Sequence, residues 1–234
     1  MLLRIVRFLV GLLLLPVCVA ATRTLIVLVA SIHPATTAFL PPPAWALIGG
    51  FVLWVVLFAT LPRPVRGYVL AHELTHALWG SLMGARVSDI RVSEEKGSVT
   101  LSKTNFLITL APYFFPLYTV ILVAAYYLLL AFFDVQPYYL YWLGLVGFTW
   151  GFHLTFTVST LMQHQTDIEE CGTVFSYAII YLFNVLGICL WVVIVSSATL
   201  EQWVTYLGRD LAAVSRELYH GWLLLVAKWH AINS

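Results

Sequence analysis

The residues best suited to chemistry stand together in AHELTHALWG, residues 71–80, where His72, Glu73 and His76 interrupt an apolar stretch. Positions i and i+4 share a helix face, so His72 and His76 can direct two imidazoles at one metal ion. Glu73 then stands beside them as general base on a metal-bound water, the arrangement of zinc hydrolysis. With seven His and seven Glu in 234 residues, random order gives about 0.006 occurrences of His-Glu-x-x-His per chain. The alternative, core polar groups satisfied by neighbouring helices, is costly here. Each charge or unpaired polar group near a bilayer interior opposes insertion by several kcal/mol. One Zn²⁺ ion is therefore the expected cofactor.

Zinc needs a third protein ligand and leaves its fourth position to water or substrate. QHQTDIEECG, residues 163–172, offers His164, Asp167, Glu169 and Glu170 just before another apolar run. Asp167 is the preferred ligand, because a free carboxylate between Thr166 and Ile168 at the mouth of an apolar helix is otherwise hard to explain. Glu169 and Glu170 read more simply as solvated charges at a helix start, favoured by its dipole. His153 reads as a bundle-facing polar residue or as a group that supports the site from behind.

The elements that must position these groups are membrane-like. The chain is 61% hydrophobic and only 10% charged, against roughly 25% charged in soluble domains. A net charge of +1 provides no basic field for a nucleic-acid backbone, so no nucleic-acid partner is expected. Taking about 20 apolar residues per crossing, spans are predicted near 8–31, 44–60, 67–83, 106–133, 138–162 and 173–197. The fold class is thus an all-α polytopic membrane protein with about six transmembrane helices, forming a single domain over 1–234 with its core at about 44–197. Pro112 and Pro116 are expected to bend the start of the fourth span.

ARVSDIRVSEEKGSVTLSKT, residues 85–104, is the only long polar segment between spans and reads as a β-hairpin turning around Lys96-Gly97. Its edge could receive an extended peptide, or it could be a solvated hairpin without a binding role. Residues 199–231 form an amphipathic C-terminal segment, read as an interfacial helix followed by a short apolar tail from Trp222 to Trp229. Cys18, Cys171 and Cys189 show no metal-type pairing and read as packing residues. The start imitates a secretory leader, yet the return of apolar character at Leu25–Ile32 suits a retained first helix better.

Arg4, Arg7, Arg63 and Arg66 favour a cytoplasmic N-terminus in a multi-pass protein of the inner (plasma) membrane. His72 follows Arg66 by six residues, about 9 Å along a helix, and so sits at modest depth below that surface. Six crossings would then place Asp167 on the side opposite to His72. A re-entrant proline stretch at 112–116, a short motif helix or an inward-dipping 163–172 loop would each remove the conflict.

His-Glu-Leu-Thr-His on an apolar helix, followed by GARVSDIRVSEEKGSVTL, LAPYFFP and later QTDIEECG, resembles the intramembrane zinc metalloproteases of the site-2 protease type over about residues 67–190. The usual Asp-Gly pair of that family is here Asp167-Ile168. The resemblance implies zinc held by two His and one Asp, with the motif Glu as base. It also implies cleavage within or near transmembrane segments of membrane-protein substrates. Asn184, in YLFNVLG, fits a role in steadying substrate or oxyanion and equally a helix-packing role. Two other readings stand beside this one: a non-proteolytic metal-binding transporter or scaffold, and a zinc hydrolase acting on lipid-linked substrates.

Overall fold

The computed structural model describes residues 2–32, 40–93 and 96–233. It is mainly helical with one two-stranded sheet, and it divides into two compact units, Met1–Pro34 with Gly172–Ser234, and Ala35–Cys171.

The first unit contains α1 (Leu2–Ala30), α8 (Thr173–Val195) and α9 (Leu200–Asn233). Ala21, Leu28, Val185, Cys189 and Ala198 form its buried centre. Gly11 lets α1 approach α8 closely, since a Cβ there would lie 2.7 Å from the Phe175 backbone nitrogen. Thr24, fully buried on α1, donates to Asp210 of α9 at 3.0 Å, and Arg209 satisfies the other carboxylate oxygen. The expected interfacial helix and separate tail are one continuous helix of 34 residues. Gly221 is the one weak helix former between them and does not stop it.

The second unit contains α2 (Pro42–Thr60), α3 (Val65–Leu82), β1 (Val87–Val92), β2 (Gly97–Leu101), α4 (Phe106–Phe114), α5 (Leu117–Leu130), α6 (Tyr139–Leu161) and α7 (Thr166–Cys171). Prolines open α2, where their missing N–H groups would be unpaired in any case. At the end of α3, Gly84 takes a positive φ of 74°, and Ala85 and Gly84 donate to the carbonyls of Gly80 and Ser81. That is the six-to-one and five-to-two pairing of a Schellman cap, and it turns the chain directly into β1. β1 and β2 pair antiparallel with Val92 opposite Gly97, so Gly97, expected at the turn, is the first residue of the second strand.

α2 and α6 pack backbone against backbone: Gly50 faces the Gly144 carbonyl and Gly147 faces the Leu47 carbonyl. One turn on, Trp54 sits among Phe148, Phe152 and Phe156 and donates to Thr155 at 2.8 Å. Phe156 in turn stacks on Tyr68 of α3, with ring centroids 4.8 Å apart, which ties the motif helix to this pair.

Among the described residues, α1, α2 and α8 are long and apolar enough to cross a membrane. The stretch 106–133, expected as one span, is two helices, α4 and α5, bent by 77° at Phe115-Pro116, and the pair counts as a broken span or a re-entrant loop. α3 and α6 occupy the expected 67–83 and 138–162 but lie outside this group. Arg66, His72, Glu73 and His76 lower the hydropathy of α3, and Tyr, Trp, Gly and Thr residues lower that of α6.

Candidate metal centre

The site lies wholly within the second unit. His72 and His76 project from one face of α3, with their Nε2 atoms 3.2 Å apart. Asp167, on the single-turn helix α7, brings Oδ2 to 3.5 Å from His72 Nε2 and 3.6 Å from His76 Nε2. An ion held tetrahedrally at about 2.0–2.1 Å spaces its ligand atoms about 3.3–3.4 Å apart, so these three donors have the spacing and chemistry of a zinc site. All three border a cleft of about 680 Å³, lined also by Glu73, Val99, Ile108 and Phe156.

Each of the three side chains is held by a neighbour. Nδ1 of His76 donates to the Ile108 carbonyl at 2.9 Å, which leaves Nε2 as the free nitrogen. Nδ1 of His72 lies 3.4 Å from the Tyr68 hydroxyl, one turn back on the same helix. Asp167 Oδ2 accepts from the Tyr113 hydroxyl at 3.0 Å. Burial alone would raise the Asp167 carboxyl. The facing imidazoles of His72 and His76, at 3.5 and 3.6 Å, outweigh it and hold the group well below the usual carboxylate range, ionised as a metal ligand would have to be.

Glu73 is 93% buried by its neighbours yet lines the cleft. Gly97 is the reason it fits. A Cβ at that position would lie 2.5 Å from Glu73 Cγ and 2.7 Å from Glu73 Oε1, so the first residue of β2 rests on the carboxylate itself. β2 thus forms one wall of the cleft through Gly97, Ser98, Val99 and Leu101, and its pairing is with β1 alone among the described strands.

The structure gathers His72, His76 and Asp167 into one group and leaves the other expected residues outside it. His164 is exposed and pairs with Glu169 at 2.8 Å, so neither joins the ligands. Glu170 lines the cleft mouth. His153 is buried on α6, beside a small cavity that also touches His72, and its Nε2 has no hydrogen-bond partner among the described residues. Asn184 belongs to the first unit, where its amide donates to the Ile180 carbonyl one turn back on α8. Sequence reasoning passed over Tyr113 and Gly97. Each is commonplace by type, a buried aromatic and a turn glycine, and acquires its role only through a partner distant in the chain.

No protein family, curated protein or solved structure matches this chain.

Proposed function

We propose that the chain is an intramembrane zinc endopeptidase of the site-2 protease type, cutting peptide bonds in or near transmembrane segments of membrane-protein substrates. The observation that carries this reading is the convergence of two imidazoles, one carboxylate and a separate buried glutamate on a single open cleft. A purely structural ion would need no Glu73 and would close its fourth position.

Bound zinc would supply a polarised water and a Lewis acid for the scissile carbonyl. His72, His76 and Asp167 would hold the ion. Glu73 takes the proton of the attacking water and returns it to the leaving amine. A helical substrate hides its carbonyls in its own hydrogen bonds, so cleavage requires an extended stretch. β2, beside the ligands and paired on one side only, offers the backbone groups to stabilise such a stretch as an added strand.

In this reading the chain is a multi-pass protein of the inner (plasma) membrane, with a cytoplasmic N-terminus and a lipid bilayer as its second partner. The bent α4–α5 pair enters and leaves on one side. α6 then returns the chain to the cytoplasmic side, where α7 meets α3, and the conflict between the positions of His72 and Asp167 disappears.

The test uses the full chain in liposomes with a labelled transmembrane peptide and, separately, a labelled lipid-linked substrate. Glu73→Gln should bind zinc as the wild type does and cut the peptide about 10²–10⁴-fold more slowly. Wild-type peptide cleavage by that variant would refute the mechanism. Turnover of the lipid-linked substrate alone would move the protein to the other hydrolase class.

A further inference from the structure

We infer that α4 orients all three zinc ligands from behind, with Tyr113 as positioning residue for Asp167 and Pro112 as the residue that frees a backbone carbonyl for His76. The inference rests on the zinc reading above and deepens it.

In an uninterrupted helix the carbonyl of residue 108 accepts from the N–H of residue 112. Residue 112 is proline, inside α4, and has no N–H. The Ile108 carbonyl, fully buried with its residue, instead accepts from Nδ1 of His76 at 2.9 Å. A proline that would ordinarily weaken a helix here supplies a directed acceptor to a ligand on another helix. Asn105 compensates at the start of α4, its side chain accepting from the backbone N–H groups of Leu107 and Ile108.

The next residue addresses the other two ligands. Tyr113 is fully buried, and its ring meets that of His72 edge-on, with centroids 5.3 Å apart at 88°. Its hydroxyl lies 3.0 Å from Asp167 Oδ2, the oxygen that faces both imidazole Nε2 atoms, and 3.4 Å from Gln165 Oε1. Asp167 stands on a helix of only six residues, too short to fix a side chain by itself. The phenol of Tyr113 therefore selects its rotamer and the oxygen it presents.

Tyr113→Phe removes the hydroxyl and keeps the ring, whereas Pro112→Ala restores an N–H that competes for the Ile108 carbonyl. With the full chain in detergent, zinc affinity is read by chelator competition, and ligand geometry by the visible absorption of the Co²⁺-loaded protein. Each variant should bind zinc about 10–100-fold more weakly. Tyr113→Phe should in addition shift the Co²⁺ bands while its metal-free melting stays as in the wild type. His72→Ala is the control for the centre itself, and wild-type zinc affinity there would overturn the function proposed above. If His72→Ala loses zinc while Tyr113→Phe stays within about twofold of wild type with unchanged Co²⁺ bands, the centre stands and the role of Tyr113 is overturned. Unchanged affinity in a folded Pro112→Ala protein would likewise overturn the role of the proline.

Discussion

Glu73 and Gly97 show how a side chain can be governed by the absence of another. The Glu73 side chain occupies the space a Cβ would take at residue 97, so its carboxylate lies against β2. Gly97→Ala should displace Glu73 without touching a ligand. The expected result is unchanged zinc content and at least about a tenfold fall in kcat, since general-base efficiency depends on hydrogen-bond reach to the proton removed. Metal analysis and single-turnover cleavage measure the two effects separately. The composition of AHELTHALWG made the two histidines and the glutamate legible, because side-chain direction on a helix follows from spacing alone. Gly97 was legible only as a turn residue. Its contact with Glu73 depends on where the Schellman cap at Gly84 sends the chain.

At the scale of elements, α2 and α6 form a rigid platform for the motif helix, because glycines let their backbones touch and an aromatic cluster carries that contact to Tyr68. A methyl group at Gly147 would meet the Leu47 carbonyl, which cannot rotate aside as a side chain could. Gly147→Ala should therefore destabilise the protein by about 1–3 kcal/mol, the usual cost of overpacking, with a lower midpoint in thermal unfolding. An equal or higher midpoint would show that the helices separate without cost. The positions of α2, α3, α6 and α8 follow the expected apolar runs within a few residues, because hydropathy and proline punctuation act locally. The break between α4 and α5 was anticipated as a bend and proves to be a 77° change of direction. Two prolines mark where a helix yields, while the direction it then takes is set by what it packs against.

For the whole molecule, metal binding should be coupled to stability. The three residues of the candidate centre come from two segments about 90 residues apart, α3 and α7, so an ion bound to all of them would favour the folded chain over any form in which the segments part. At free zinc about 100 times the dissociation constant, the gain is about 2.7 kcal/mol. Wild type and Glu73→Gln should both melt higher with zinc than with chelator, and the His72→Ala/His76→Ala double variant should show no difference. A zinc-induced shift surviving in the double variant would mean that the ion stabilises the protein from elsewhere. By itself the sequence determined a mainly helical, membrane-compatible chain, a hairpin after the motif helix and the two-histidine motif with its glutamate. All of these are encoded within a few consecutive turns, where periodicity and residue type suffice. It also singled out Asp167, by the oddness of a carboxylate at the mouth of an apolar helix. Only the tertiary structure decided that Asp167 and not His164 or Glu169 faces both imidazoles, that β2 rests on Glu73, and that α4 contacts all three of these side chains. Those relations join residues from about 24 to about 95 positions apart, and they are fixed by packing, to which no local pattern of residues is sensitive.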